Sequence, residues 1–118
     1  MSNIFGVKEL TAEMMRALPI RAASEDTVRH AEYLRRYIEE GNPQSWARLL
    51  MFATSTVDPT MPITLQYNGH QPARAGALVF VQAHTCFGIL DVGDYNSYEH
   101  FRDSLDASIE NSTGLDMA

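Results

Sequence analysis

The tripeptide Gly41-Asn42-Pro43 constrains the fold more than any other stretch of the chain. Before it, Val28, Ala31, Leu34 and Ile38 recur at helical spacing. Ser24 stands ahead of them as an N-cap, with Glu25 and Asp26 in the electropositive first turn. Gly41 is a natural stop for that helix. Asn42 then reads as the next N-cap and Pro43 as its first helical residue, where the N–H that proline lacks would go unpaired anyway. The helix that follows, PQSWARLLMFAT, spreads Trp46, Leu49, Leu50, Met51 and Phe52 over more than half its circumference, as a helix buried on most sides does. So short a joint admits only a compact helix-turn-helix corner.

A further short helix, capped by Thr11 and stopped near Leu18 by Pro19, completes an N-terminal layer of three helices. Asp58-Pro59 and Pro62 end the helical part. ITLQY at 63–67 alternates as a strand does, and Asn68-Gly69 is a strong turn signal, although HQPARAG is a poor strand start. The run ALVFVQAHTCFGILDV reads as two strands, about 76–83 and 86–91, with a tight turn near His84. Asn96 with Glu99 three residues on resembles a capping box for a last helix, and the tail NSTGLDMA reads as flexible. The expected fold is a single α+β domain over residues 1–118: a helical layer, a short antiparallel sheet of two to three strands, and an acidic amphipathic C-terminal helix.

Apolar residues make up 45% of the chain and charged residues 20%, enough apolar side chain to offset the ordering entropy of a folded domain. The sequence holds no apolar run long enough for a transmembrane helix, and MSNIFGVKEL lacks the basic-then-apolar order of a secretory signal. No membrane partner is therefore expected. A lone cysteine, Cys86, cannot form an intramolecular disulfide and fits a reducing, cytoplasmic setting.

Charge is unevenly distributed. Residues 1–90 carry eight acids and eight bases, whereas residues 91–118 carry seven acids against Arg102 alone. Glu99, Asp103, Asp106 and Glu110 fall within roughly 60° of arc on the last helix, and Tyr98, Phe101, Leu105 and Ile109 form a second face centred about 130° away. The apolar set can pack while the acids stand clear, as a solvated face or as a docking row for a basic protein surface. With Asp91 and Asp94, these acids are the candidate partner-binding residues. Direct nucleic-acid binding is disfavoured, because the net charge of −6 has the wrong sign and the arginines of the second helix alternate with glutamates.

Chemistry-bearing motifs are few. No glycine-rich phosphate loop, paired metal-ligand spacing or cofactor motif is present, so no metal or cofactor is expected. His84-Thr85-Cys86 sets an imidazole two residues from a thiol, and a neighbouring imidazole can take a thiol's proton to leave the more nucleophilic thiolate. The bland alternative is a small cysteine buried in an apolar strand. Asp91 and Asp94 could do acid–base work, although turns select aspartate for backbone hydrogen bonds. His84, Cys86, Asp91, Asp94 and His100 are the candidates for a metal site assembled only by folding, and Met14, Met15, Trp46, Met51, Phe52 and Met61 for a pocket or, more simply, a core.

Charge patterning thus suggests a non-enzymatic interaction module whose acidic helix meets a basic protein. Its most specific form is a small acidic inhibitor of a nucleic-acid-handling machine, of the kind phages and mobile elements encode. Two alternatives stand beside it: a ligand-binding or enzymatic domain with a pocket near His84 and Cys86, and a structural subunit of a homo-oligomer.

Overall fold

The computed structural model describes residues 10–69, 74 and 77–117. The elements in chain order are α1 (Ala12–Arg16), β1 (Ile20–Ala22), a 3-10 turn (Glu25–Thr27), α2 (Val28–Glu40), α3 (Pro43–Thr54), β2 (Ile63–Tyr67), β3 (Gln82–His84), β4 (Ile89–Val92) and α4 (Tyr98–Met117). The class is α+β, as expected. No described helix is long and apolar enough to cross a membrane.

The corner forms as its chemistry dictates. Asn42 Oδ1 accepts the Ser45 N–H at 3.0 Å, and the Asn42 N–H donates to Ser45 Oγ at 2.9 Å. This reciprocal cap satisfies donors that a helix start leaves open. The Trp46 indole N–H donates to the Ile38 carbonyl at 2.8 Å, tying α3 to the last turn of α2. Leu49, Leu50 and Ala53 are fully buried, but Met51 is 52% exposed, so α3 is less enclosed than its composition suggests.

The sheet departs from the antiparallel expectation. Its strand order is β1-β2-β4-β3, with β1 and β4 both parallel to β2 and only β3 antiparallel to β4. The missed element is β1, three residues (IRA) of which two are exposed, so it has no apolar alternation to reveal it. The helical crossover through α2 and α3 then returns the chain to β2 in the same direction as β1, as a parallel pair requires. Asn68-Gly69 opens no hairpin, because β2 pairs with β1 and β4 rather than with β3; His70 and most of the expected loop lie outside the described residues.

The expected strand at 76–83 is mostly something else. Burial alternates there, with Val79 and Val81 buried and Leu78 and Phe80 exposed. However, the Val79 N–H donates to Ser104 Oγ at 3.1 Å and the Val81 N–H to Ser108 Oγ at 2.8 Å. Two buried serines one helical turn apart on α4 thus take the place of a neighbouring strand. The strand itself is confined to 82–84, and β4 starts only at Ile89.

Helix α4 is capped by Ser97, whose Oγ accepts the His100 N–H at 3.2 Å, rather than by an Asn96–Glu99 box. The helix continues to Met117 through most of the tail expected to be flexible. Tyr98, Phe101, Leu105 and Ile109 are buried against the core as their spacing implies. Tyr37 and Asp106, and Tyr98 and Glu40, are hydrogen-bonded across α2 and α4, and the Arg36 guanidinium lies 4.3 Å from the Tyr98 ring centroid. The bond from Tyr98, with the Arg36 contact second, holds the Glu40 carboxyl below its ordinary range. Burial, reinforced by these carboxylates, raises the Tyr37 and Tyr98 phenols well above theirs.

Candidate functional site

The hairpin between β3 and β4 displays the lone cysteine. The Phe87 N–H donates to the His84 carbonyl at 3.0 Å and the Gly88 N–H to the Thr85 carbonyl at 3.4 Å, so residues 85–88 form a tight loop. Gly88 closes it in the left-handed region (φ +65), as a four-residue hairpin loop demands. A Cβ at Gly88 would stand 2.4 Å from the Pro62 carbonyl oxygen, while the Gly88 carbonyl accepts the Thr64 N–H at 2.8 Å. The loop is thereby seated against the chain entering β2. Cys86, expected at the start of a strand, lies instead in this loop as an exposed free thiol. Phe87 beside it is 75% exposed.

His84 and Asp91 meet across the hairpin. His84 pairs with Ile89 and Gln82 with Asp91, which makes His84 and Asp91 diagonal neighbours on one face of the sheet. Their side chains join at 2.7 Å, His84 Nε2 to Asp91 Oδ2. The aspartate side chain is only 13% exposed, the imidazole 51%, and Asp91 Oδ1 is buried without a hydrogen-bond partner among the described residues. An ionised carboxylate can only accept, so Nε2 carries the hydrogen and the neutral ring leaves its lone pair on Nδ1. That is how an aspartate prepares a histidine to take a proton and then stabilises the imidazolium.

A cleft of about 390 Å³ reaches the other flank of the loop. It is lined by Met51 and Phe52 of α3, Ile109 of α4 and Thr85, the residue before Cys86. Of the six residues weighed as a pocket or a core, Met15 and Trp46 belong to the core while Met51 and Phe52 face this cleft.

The six acidic candidates lie on α4, on β4 and just beyond β4. Glu99, Asp103, Asp106 and Glu110 are exposed along α4, but Asp103 pairs with Arg102 at 3.1 Å and Asp106 accepts from Tyr37. Asp91 lies on the sheet with His84, and Asp94 follows β4 and accepts from the Tyr67 hydroxyl at 2.9 Å. The candidate metal ligands are not gathered: among the described residues no three histidine, cysteine or acidic side chains stand close enough to hold an ion. His100 uses both ring nitrogens, accepting from the Asn96 N–H and donating to the Ala77 carbonyl. The spacing of His84 and Cys86 was visible in the sequence, whereas the partnership of His84 with Asp91 was not. Gly88 was the signal for it: taken as the left-handed end of a four-residue loop, it sets the register that opposes the two.

A family model described as HECT-domain (ubiquitin-transferase) matches residues 2–118. No curated protein matches the chain. The family match overturns the reading as a non-enzymatic acidic interaction module, and with it the inhibitor of a nucleic-acid-handling machine. Charge asymmetry misled because an acidic face reports on steering and solubility and leaves the chemistry of a single exposed thiol unstated. The chain belongs to the HECT-domain family of ubiquitin-transferases.

Proposed function

We propose that Cys86 accepts ubiquitin as a thioester and passes it to an amine. The observation that carries this reading is an exposed, lone cysteine on a seated hairpin loop, two residues from an imidazole held by a carboxylate, in a chain of a ubiquitin-transferase family. Ubiquitin transfer is acyl transfer from a terminal carboxyl group, and a thiolate is the strongest ordinary protein nucleophile for it near neutral pH. The thiol proton goes to His84 Nδ1, directly or through a water, and Asp91 stabilises the cation formed. The thiolate attacks the carbonyl of an incoming ubiquitin thioester, delivered by an E2 ubiquitin-conjugating enzyme, and the carrier's thiolate leaves and takes the proton held on His84, which returns the ring to its neutral form. An amine then attacks the new thioester, the Cys86 thiolate departs, and the amine's surplus proton passes to His84 or to solvent.

Exposed apolar side chains support a protein substrate here. Phe87 flanks the thiol, and Leu78 and Phe80 project from the segment leading into β3. Phe87 offers a bound protein an apolar contact beside the thiol. The acids of α4 offer a separate contact for a basic region of a protein partner, with Glu99 and Asp103 exposed along the helix. A working thiol must stay reduced, which suits a cytoplasmic setting.

The test is labelling with ubiquitin that carries a thiol-reactive electrophile in place of its terminal carboxylate. Wild type should form one adduct, on Cys86, and Cys86→Ala none. An adduct that forms equally well in Cys86→Ala, or none in wild type, would overturn the assignment.

A further inference from the structure

A second cleft, of about 540 Å³, opens at the other end of β4 from Cys86. The four residues of β4 separate the two sites by about 13 Å. It lies beyond the carboxyl ends of the three parallel strands. The chain leaving β1 supplies Glu25 and Asp26, α2 supplies Glu32 and Arg29, and the chain leaving β4 supplies Asp94. Four carboxylates therefore face one guanidinium, and Glu25, Asp26 and Glu32 belong to no ion pair among the described residues.

Acids alone would mark only a solvated rim, but His30 gives an independent sign of a missing partner. It lines the cleft, is 8% exposed, and joins the Gly93 carbonyl through Nε2 at 2.8 Å. A carbonyl only accepts, so Nε2 bears the hydrogen and Nδ1 of the neutral ring is an acceptor. That Nδ1 is buried and has no hydrogen-bond partner among the described residues. Buried polar atoms are rarely left so. Tyr33 and Tyr95 flank the imidazole, with ring centroids 6.4 and 5.6 Å away, and both line the cleft.

Carboxylates, an unpartnered imidazole nitrogen and aromatic rings share one preference, a planar cation rich in N–H donors. We propose that the cleft binds the guanidinium of an arginine side chain presented by a partner protein. A guanidinium has five donors in a fixed plane and is weakly hydrated, so it can stack on Tyr33 or Tyr95 while bonding to carboxylates at its edge. An ammonium, compact and strongly hydrated, matches the rings less well.

The probe is acetyl-Gly-Arg-Gly-amide titrated into the isotopically labelled chain and followed by NMR, with the lysine and citrulline analogues in parallel. The arginine peptide should saturate shifts at the Gly93 and Asp94 amides and at the His30 ring nitrogens. The lysine peptide should bind several-fold more weakly and the neutral citrulline isostere at least tenfold more weakly. Glu25→Gln/Asp94→Asn, which alters only partly exposed positions, should weaken the arginine peptide at least tenfold and leave the rest of the spectrum intact. Absence of saturable shifts at Gly93 and His30, equal binding of citrulline, or undiminished binding to the double variant would each overturn the proposal.

Discussion

Gly88→Ala tests whether the Cys86 loop is seated as described. The substitution adds one carbon in the left-handed region, which costs an L-residue about 1–2 kcal/mol. It also places that carbon 2.4 Å from the Pro62 oxygen, against a floor of 3.0 Å for real Cβ contacts, so the loop must retreat by at least 0.6 Å. Retreat stretches the 2.8 Å bond from the Thr64 N–H to the Gly88 carbonyl, which puts about 0.5–1.5 kcal/mol more at risk. Alanine's smaller unfolded-state entropy returns about 0.4–1 kcal/mol. The net expected loss is about 2 kcal/mol. Gly69→Ala is the control, since its φ is +78 and the nearest atom among the described residues, Tyr67 Cε2, is 4.0 Å away. It pays the conformational cost without the collision, so its expected loss is about 1 kcal/mol or less. Urea unfolding measures both, and the rate of ubiquitin-electrophile labelling at Cys86 should fall only in Gly88→Ala. Equal losses in the two variants, or unchanged labelling in Gly88→Ala, would refute the reasoning.

Three further outcomes are expected. Ser108→Ala leaves the buried Val81 N–H without an acceptor and should cost about 1–3 kcal/mol in urea unfolding, so a loss below about 0.5 kcal/mol would show that the serine pair does not hold residues 79–81. Asp91→Asn keeps the shape beside His84 but removes the charge that stabilises an imidazolium. It should slow thioester formation by at least about tenfold and alter its pH profile while leaving the circular dichroism spectrum unchanged, and wild-type kinetics would remove His84 from the mechanism. Tyr95 is pushed up to about 12, chiefly by burial, and Tyr37 and Tyr98 are also raised chiefly by burial. The fold thus holds neutral phenols whose unfolded pKa is about 10, so this stability is complete below pH 10 and is lost as pH climbs through the folded values. Near-ultraviolet tyrosinate absorbance should show at least one class titrating well above 10 together with unfolding, and uniform titration near 10 in a folded chain would contradict this burial.

How much of this was legible in the sequence depends on how local each signal was. Asn42-Pro43 and the apolar faces of α2 and α4 announced themselves because caps and helical periodicity reach only three or four residues. The parallel pairing was hidden because β1 has three residues and no alternation, and its partner β2 lies some forty residues on. Val79 and Val81 alternate as a strand does, yet the acceptors of their N–H groups are serines on a helix that comes later in the chain. The acidic row on α4 is real in its exposure, but prominence in the sequence was a poor guide to chemistry. Cys86 and His84 were on the page from the start. What folding added was Asp91 and the Gly88 loop that lifts the thiol out of a strand.

Exchange of a small-molecule ubiquitin thioester onto the folded chain, followed by intact-mass spectrometry, tests the central claim most directly. With one cysteine in the sequence, any thiol-labile adduct reports on Cys86. Its rate should be at least about tenfold that of a synthetic peptide spanning residues 80–92, which has the same thiol without the seated loop or the buried Asp91. A folded chain that reacts no faster than that peptide would contradict Cys86 as a prepared ubiquitin acceptor.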